Sequence, residues 1–305
     1  MTQIVIDQEL ARAGVERPDL VIAGWAVPTI LAHGSDGQRD RFVRPSLLGE
    51  LVWCQLFSEP GSGSDLASLR TRATKVEGGW QLSGQKVWTS MAERADWGIC
   101  LARTDPEAPQ HRGISYFLVD MRSPGIEVRP LREITGRSLF NEVFLDDVFV
   151  PEDCLVGEPG DGWRLARTTL ANERVAMASS RLGVSTERAV ELVAPGARDT
   201  DRARVGRAVA LSTVCSVLGV RSTLRSLAGQ GPGAESSVAK LLGVRSRQDA
   251  AELVVALHGE RGVLGGPDVA ADVEEMLNTR CLSIAGGTTQ VLRNVAAERI
   301  LGLPR

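Results

Sequence analysis

The sequence predicts an α+β protein: a helical N-terminal part, a middle antiparallel β domain and a C-terminal helical bundle. Three observations carry this. Between residues 51 and 150, short alternating apolar segments are separated by turn residues, the pattern of an antiparallel sheet. From Gly157 onward the apolar residues recur at spacings of three and four over long segments joined by short Gly- and Pro-containing loops, the pattern of a bundle. Ahead of the sheet, Leu20-Val-Ile-Ala-Gly-Trp-Ala-Val-Pro-Thr-Ile-Leu-Ala reads as a buried helix. The expected boundaries are 1–53, 54–156 and 157–305.

In chain order, residues 2–13 read as a short helix ending near Gly14. The apolar stretch 19–33 is a helix that Pro28 kinks or restarts. A turn and a short helix over 36–43 follow. Strands are expected at 71–76 and 80–83 around the turn Glu77-Gly78-Gly79, then at 97–103 and 113–120 around the polar loop 104–112. Two more are expected at 126–131 and 141–150. Asp161 is a candidate N-cap for a long helix running from Trp163 to about Leu192, broken by Pro195-Gly196. Further helices are expected over 202–227, 236–257, 269–277 and 290–300, with loops at Gly229 to Gly233 and Val263 to Pro267.

Composition narrows the classes of function. An apolar fraction of 43% and a charged fraction of 24% are those of a soluble globular protein. A net charge of −3 without a long basic run argues against a nucleic-acid partner. Cys54, Cys100, Cys154, Cys215 and Cys281 are scattered without CxxC spacing, so neither a zinc site nor a disulfide framework is indicated. His33, His111 and His258 are equally scattered. The N-terminus lacks the pattern of a signal peptide, and no apolar run reads as long enough to cross a bilayer. A cytoplasmic location is the expectation.

Three stretches carry the chemistry. The first is Cys54-Gln-Leu-Phe-Ser-Glu-Pro-Gly-Ser-Gly-Ser-Asp65, an apolar run followed by a turn in which Gly61 and Gly63 permit close backbone approach. Alone it reads equally as an ordinary glycine-rich loop or a ligand cradle. The second is Gly84-Gln-Lys-Val-Trp-Thr-Ser90, with Trp97 beyond it. The third is Ala285-Gly-Gly-Thr-Thr-Gln290. In this order and at these separations they resemble the acyl-CoA dehydrogenase flavoprotein family over almost the whole chain.

The resemblance implies an acyl-CoA dehydrogenase-like fold and FAD-dependent α,β-dehydrogenation of an acyl-CoA thioester, a step of lipid and fatty acid metabolism. A carboxylate takes the α-proton, and flavin N5 takes the β-hydride. Most members place the base immediately before a gly-thr pair in the third stretch. Here that position is Gly286, which keeps the backbone N–H expected to bind the thioester oxygen and cannot take a proton. Some members place the base on the first long helix of the C-terminal domain, just before an arginine. This chain has Leu170-Ala-Asn-Glu-Arg174 there.

Helical spacing agrees with that placement. Trp163, Ala166, Leu170, Glu173 and Met177 form one stripe, so Glu173 sits in an apolar row. Its neighbours at three and four residues are Thr169, Leu170, Ala176 and Met177, none of them basic. Such a carboxylate is a candidate base whose pKa burial would raise. The alternative is a structural pairing with a distant arginine. Arg174 matches an arginine that assists CoA binding; the alternative is a solvated helix residue.

For the flavin, the resemblance implies contacts from Phe57, Ser58, Gly63 and Ser64, with Ser64 also touching the acyl-CoA. It implies the same for Trp88, Thr89 and Ser90, and for Thr288 and Gln290. The alternative for Trp88 is a core position in the β domain, and Trp53, Trp80 and Trp97 are read as core. Arg202-Ala-Arg-Val-Gly-Arg207 stands where members carry arg-x-x-phe-gly, so the aromatic of a motif used on a partner's FAD is missing. Members also carry helices ahead of the segment where this chain starts. The expected setting is a homo- or hetero-oligomer, dimer or tetramer, with an electron-transfer flavoprotein as acceptor and no membrane insertion. Branched or bulky acyl groups, including steroid side-chain thioesters, are the expected substrates. The competing readings are a non-catalytic partner subunit of a mixed oligomer and a flavin monooxygenase on the same fold.

Overall fold

The computed structural model describes residues 6, 9, 10, 12, 13, 15, 20–179, 183–230 and 233–304. Most of the expected helix at 2–13 lies outside the described residues. The chain forms two compact units, 2–172 and 173–305.

In the first unit, helices α1 (Ala23–His33) and α2 (Asp36–Leu47) precede the sheet. Pro28 sits inside α1 without ending it. Ser35 caps α2 in a reciprocal capping box: its hydroxyl accepts from the Gln38 amide, and the Gln38 side chain accepts from the Ser35 amide. That device sets the start at Asp36 as expected, but α2 continues through Pro45 to Leu47 rather than ending at 43.

The sheet comprises β1 (Trp53–Leu56), β2 (Arg72–Val76), β3 (Gly79–Ser90), β4 (Trp97–Arg103), β5 (Ile114–Asp120), β6 (Ile126–Leu131), β7 (Phe140–Pro151) and β8 (Leu155–Val156). The strand order is β6-β7-β3-β2-β4-β5-β8, with β1 also paired to β4. Most pairings are antiparallel, as expected. The exceptions are β1 with β4 along four residue pairs and one contact between β2 and β4 at Arg72 and Arg103. Strand β3 is longer than the expected 80–83. It runs through the whole second stretch because β7 pairs with it along its full length.

One core serves this unit. Ile99, Leu101, Tyr116, Phe117 and Val119 from β4 and β5 are fully buried, and Ile30 and Phe42 bring α1 and α2 into the same cluster. The Phe42 ring meets Trp53 at 5.5 Å and Trp97 at 4.8 Å, both edge-on. Trp53 and Trp80 are buried core residues, and Trp97 packs partly buried against them.

Helix α3 (Gly162–Ser179) carries the chain from the first unit into the second. Asp161 precedes it, but its carboxylate accepts from the Arg164 guanidinium and the Glu158 amide. The second unit continues with α4 (Val184–Leu192), α5 (Asp199–Leu227), α6 (Glu235–Leu257), α7 (Glu260–Leu264), α8 (Ala270–Asn278), a 3-10 segment Thr279–Ser283, and α9 (Thr289–Arg299). The single helix expected from Trp163 to Leu192 is therefore two helices. Gly183 takes φ +95° ahead of α4, a left-handed conformation that a continuous helix does not allow.

Ala189, Val205, Leu253 and Val254 form the core where α4, α5 and α6 meet. Along α5, Val214, Val217, Val220 and Leu224 are exposed. Contrary to the sequence expectation, Asp199–Arg225 is long and apolar enough to qualify as a membrane span by length and composition. Its uncharged stretch between Arg207 and Arg221 covers about 20 Å of helix axis, against a hydrocarbon core of about 30 Å.

Candidate active site

In the first unit, two of the three stretches lie side by side. The Val87 amide donates to the Ser58 carbonyl at 2.9 Å. Lys86 reaches across the same boundary: its ammonium donates to the carbonyls of Phe57 (3.1 Å) and Leu101 (2.8 Å) and to the Glu59 carboxylate (2.8 Å). Glu59 in turn accepts from the amides of Arg70 (2.6 Å) and Thr71 (2.8 Å). Both side chains are buried. Burial alone would raise the Glu59 pKa, but the Lys86 charge and these hydrogen bonds hold it below the ordinary carboxylate value.

This ion pair anchors the first loop. Glu59 and Ser62 exchange two backbone hydrogen bonds, at 2.8 and 3.0 Å, which close the Pro60-Gly61 turn. Beyond it, Gly63 and Ser64 are exposed, and a Cβ on Gly63 would meet nothing within 4 Å. Ser58 is half-buried. Phe57 is buried with its ring edge-on to Tyr116 at 5.9 Å, so its side chain belongs to the core beneath the loop.

The second stretch is shaped by a β-bulge. Lys86 pairs with Val143 and Thr89 with Asn141, so Val87 and Trp88 oppose the lone Glu142. Trp88 takes φ +61°, and its side chain is 63% exposed, edge-on to Phe140 at 6.2 Å. It is not a core residue. A large aromatic held outward by a strained backbone is a functional signal. Beside it, the buried hydroxyl of Thr89 has no hydrogen-bond partner among the described residues. Ser90 is half-buried. An outward aromatic, an orphaned hydroxyl and an unobstructed glycine-serine loop fit a flat aromatic ligand that also hydrogen-bonds, as FAD does.

In the second unit, Glu173 and the third stretch meet. Glu173 is buried, its side chain 8% exposed. A Cβ built on Gly286 would lie 3.3 Å from the Glu173 Oε1 and 2.6 Å from the Met177 Sδ. Gly286 takes φ +64° and Gly287 φ +98°, conformations that favour glycine. A side chain at 286 would therefore require the ends of the Met177 and Glu173 side chains to shift. Arg174 is half-buried and donates to the Gly286 carbonyl at 3.4 Å, so it is not a freely solvated helix residue. Burial lowers its pKa, with the Glu173 charge opposing.

Thr288 is the N-cap of α9: its hydroxyl accepts from the Val291 amide at 3.2 Å. Gln290 is exposed on the first turn. The Gly-Thr-Thr-Gln run thus also has a structural reason, a turn followed by a capped helix.

Three functional-looking residues escape sequence reasoning. Glu59 and Lys86 lie inside the quoted stretches, but nothing local pairs residues so far apart in the chain. Lys240 lies on α6, where its ammonium donates to the carbonyls of Ala285 and Gly287, the latter at 2.7 Å. Ser236, Ser237, Gly243, Val244, Arg247, Ala250 and Ala251 are buried at helical spacing. Lys240 falls in that stripe, as Arg247 does, and a charge at a buried helical position is the signal that could have found it.

Residues 54–148 match the acyl-CoA dehydrogenase middle domain, and residues 160–301 match the acyl-CoA dehydrogenase C-terminal domain. The chain is 59% identical, over 99% of its length, to acyl-CoA dehydrogenase FadE34 of Mycobacterium tuberculosis, and spans 42% of that relative. It is 40% identical to acyl-CoA dehydrogenase IpdE1 of the same organism, over 91% of this chain and 74% of that one. Among solved structures, a chain of the Tcur3481-Tcur3483 steroid ACAD G363A variant superposes with a TM-score of 0.88 at 29% identity, covering 99% of this chain and 82% of that one. A chain of the ChsE4-ChsE5 complex from Mycobacterium tuberculosis superposes with a TM-score of 0.83 at 31% identity, over 99% and 82%. Members of the family are FAD-dependent oxidoreductases acting on CH–CH groups. With two family domains matched in order and relatives of this identity, the chain belongs to the acyl-CoA dehydrogenase family.

Proposed function

We propose that this chain catalyses α,β-dehydrogenation of an acyl-CoA thioester with Glu173 as the base. The observation that carries the proposal is the place of its carboxylate, 3.3 Å from the point where a side chain on Gly286 would begin. Most members reach that place from the loop; here α3 reaches it instead.

The α C–H bond breaks as its proton passes to a Glu173 carboxylate oxygen, and the carbon–carbon double bond forms as the β-hydride departs. When bound, FAD supplies the two-electron acceptor at N5. Negative charge grows on the thioester oxygen during proton removal, and the Gly286 N–H is the proposed donor that stabilises it. Among the described residues that amide donates no hydrogen bond, so it is available. Arg174 contributes positive charge toward CoA. Trp88, Thr89, Ser90, Ser58, Gly63 and Ser64 hold the cofactor and exclude water from it, with Ser64 also toward the thioester. Thr288 and Gln290 add contacts from the start of α9.

A branched or bulky acyl group, of the steroid side-chain kind, is the proposed substrate; two of the similar structures are described as steroid acyl-CoA dehydrogenases. An electron-transfer flavoprotein is the proposed acceptor and the cytoplasm the proposed location. The exposed apolar row on α5 supports an oligomeric protein. The alternative, a non-catalytic subunit of a mixed oligomer, is favoured by one observation: similar structures are two-protein assemblies.

An absorbance spectrum followed by anaerobic titration with acyl-CoA thioesters separates the readings. A yellow protein that bleaches with one thioester supports the dehydrogenase. A colourless protein that bleaches with none supports the subunit reading.

A further inference from the structure

The Ala285-Gly286-Gly287 turn is gripped by two cations. Lys240 donates to the Ala285 and Gly287 carbonyls, and Arg174 to the Gly286 carbonyl between them. Lys240 is 1% exposed. Burying an ammonium costs free energy unless its donors are satisfied, and burial pushes its pKa down to about 8, with the Glu173 charge opposing.

The geometry of a trans peptide gives this grip a consequence. The carbonyl of Ala285 and the N–H of Gly286 belong to one planar unit and point in opposite directions. Holding the carbonyl therefore aims the N–H. Without such a hold, two consecutive glycines have many accessible backbone conformations.

We propose that Lys240 is a positioning residue for the dehydrogenation: by fixing the 285–286 peptide plane it aims the Gly286 N–H at the thioester oxygen. The proposal rests on the reading of Gly286 as the thioester donor. Lys240 does not touch the reacting atoms. Its charge also polarises the amide it holds, which strengthens the N–H as a donor.

The test compares Lys240→Met with wild type, using the full FAD-loaded chain and two probes: an acyl-CoA thioester and its thioether analogue, in which a methylene replaces the carbonyl. Calorimetry gives both affinities, and turnover gives kcat and KM. Lys240→Met is expected to lose about tenfold in thioester affinity, the equivalent of one hydrogen bond, with the thioether unaffected. Its kcat should fall about 100-fold, the scale of a misplaced donor. Lys240→Gln keeps an N–H on a shorter stem and should fall between the two. It also serves if Lys240→Met does not fold, as thermal unfolding would reveal.

A folded variant of either kind with the wild-type thioester-to-thioether ratio overturns the role of Lys240. A wild-type chain that binds both probes equally overturns the Gly286 donor itself, and the positioning role with it.

Discussion

The Glu173 carboxylate oxygen stands 3.3 Å from where a Gly286 side chain would begin, and the Met177 sulfur is closer still at 2.6 Å. One position on the helix and one on the loop therefore compete for the same space. The missing side chain at Gly286 leaves that space to the Glu173 carboxylate and the Met177 sulfur.

Glu173→Gln removes the base and keeps the shape. We expect turnover to fall by about 10²- to 10⁴-fold, the range of general-base catalysis, with FAD content unchanged. Anaerobic bleaching by the substrate reads the first, and the absorbance ratio of flavin to protein the second. Unchanged turnover would remove Glu173 from its role.

Gly286→Ala meets both the Met177 sulfur and a φ of +64°. The expected cost is about 1–3 kcal/mol of stability, the strain of a left-handed non-glycine residue. Denaturant unfolding measures it. A variant as stable as wild type would mean the turn relaxes freely.

Lys86→Met leaves the Glu59 carboxylate buried without its cation. Breaking a buried pair costs about 3–5 kcal/mol, and the first loop should loosen with it. The loss should appear both in unfolding and in weaker FAD retention, since Lys86 also holds the Phe57 carbonyl.

The same pair predicts an acid response. The folded-state pKa of Glu59 lies below its ordinary value of 4.5. The unfolded chain therefore binds the proton first as pH falls. The stabilisation from Glu59 is complete above about 4.5 and is lost as pH drops through the lowered folded value. Glu59→Gln should be less stable at neutral pH and should flatten this part of the profile. A wild-type acid limb in that variant would contradict the prediction.

Trp88→Ala removes an exposed ring from a strained backbone position. The fold should persist, because the ring contributes little to the core. FAD affinity should fall by about tenfold, the worth of one good aromatic contact. Fluorescence titration of the apoprotein with FAD checks this. Equal affinity would return Trp88 to the surface.

Much of the architecture was legible because it is written in local patterns. Short apolar runs over 97–103 and 113–120, split by the polar loop 104–112, marked β4 and β5, and the Glu77-Gly78-Gly79 turn marked the β2–β3 hairpin. The stripe on α3 put Glu173 on its buried side. Other features were hidden. The two-residue strand β8 has no period to detect. The parallel pairing of β1 with β4 depends on a crossover rather than a turn. The break before α4 depends on Gly183, which composition alone does not distinguish from a glycine tolerated inside a helix.

The sequence by itself determined the order of helices and strands and the family, and set Glu173 on the buried side of α3, since periodicity and short motifs are local properties of the chain. The tertiary structure alone decided which residues hold the site in shape. It turned Trp88 outward by a mismatch between two strands, set Lys86 against Glu59, and brought Lys240 of α6 to the carbonyls beside Gly286. Those relationships join residues tens of positions apart. The contacts of Lys86 and Lys240 arise because a buried charge must find its partners wherever the fold brings them.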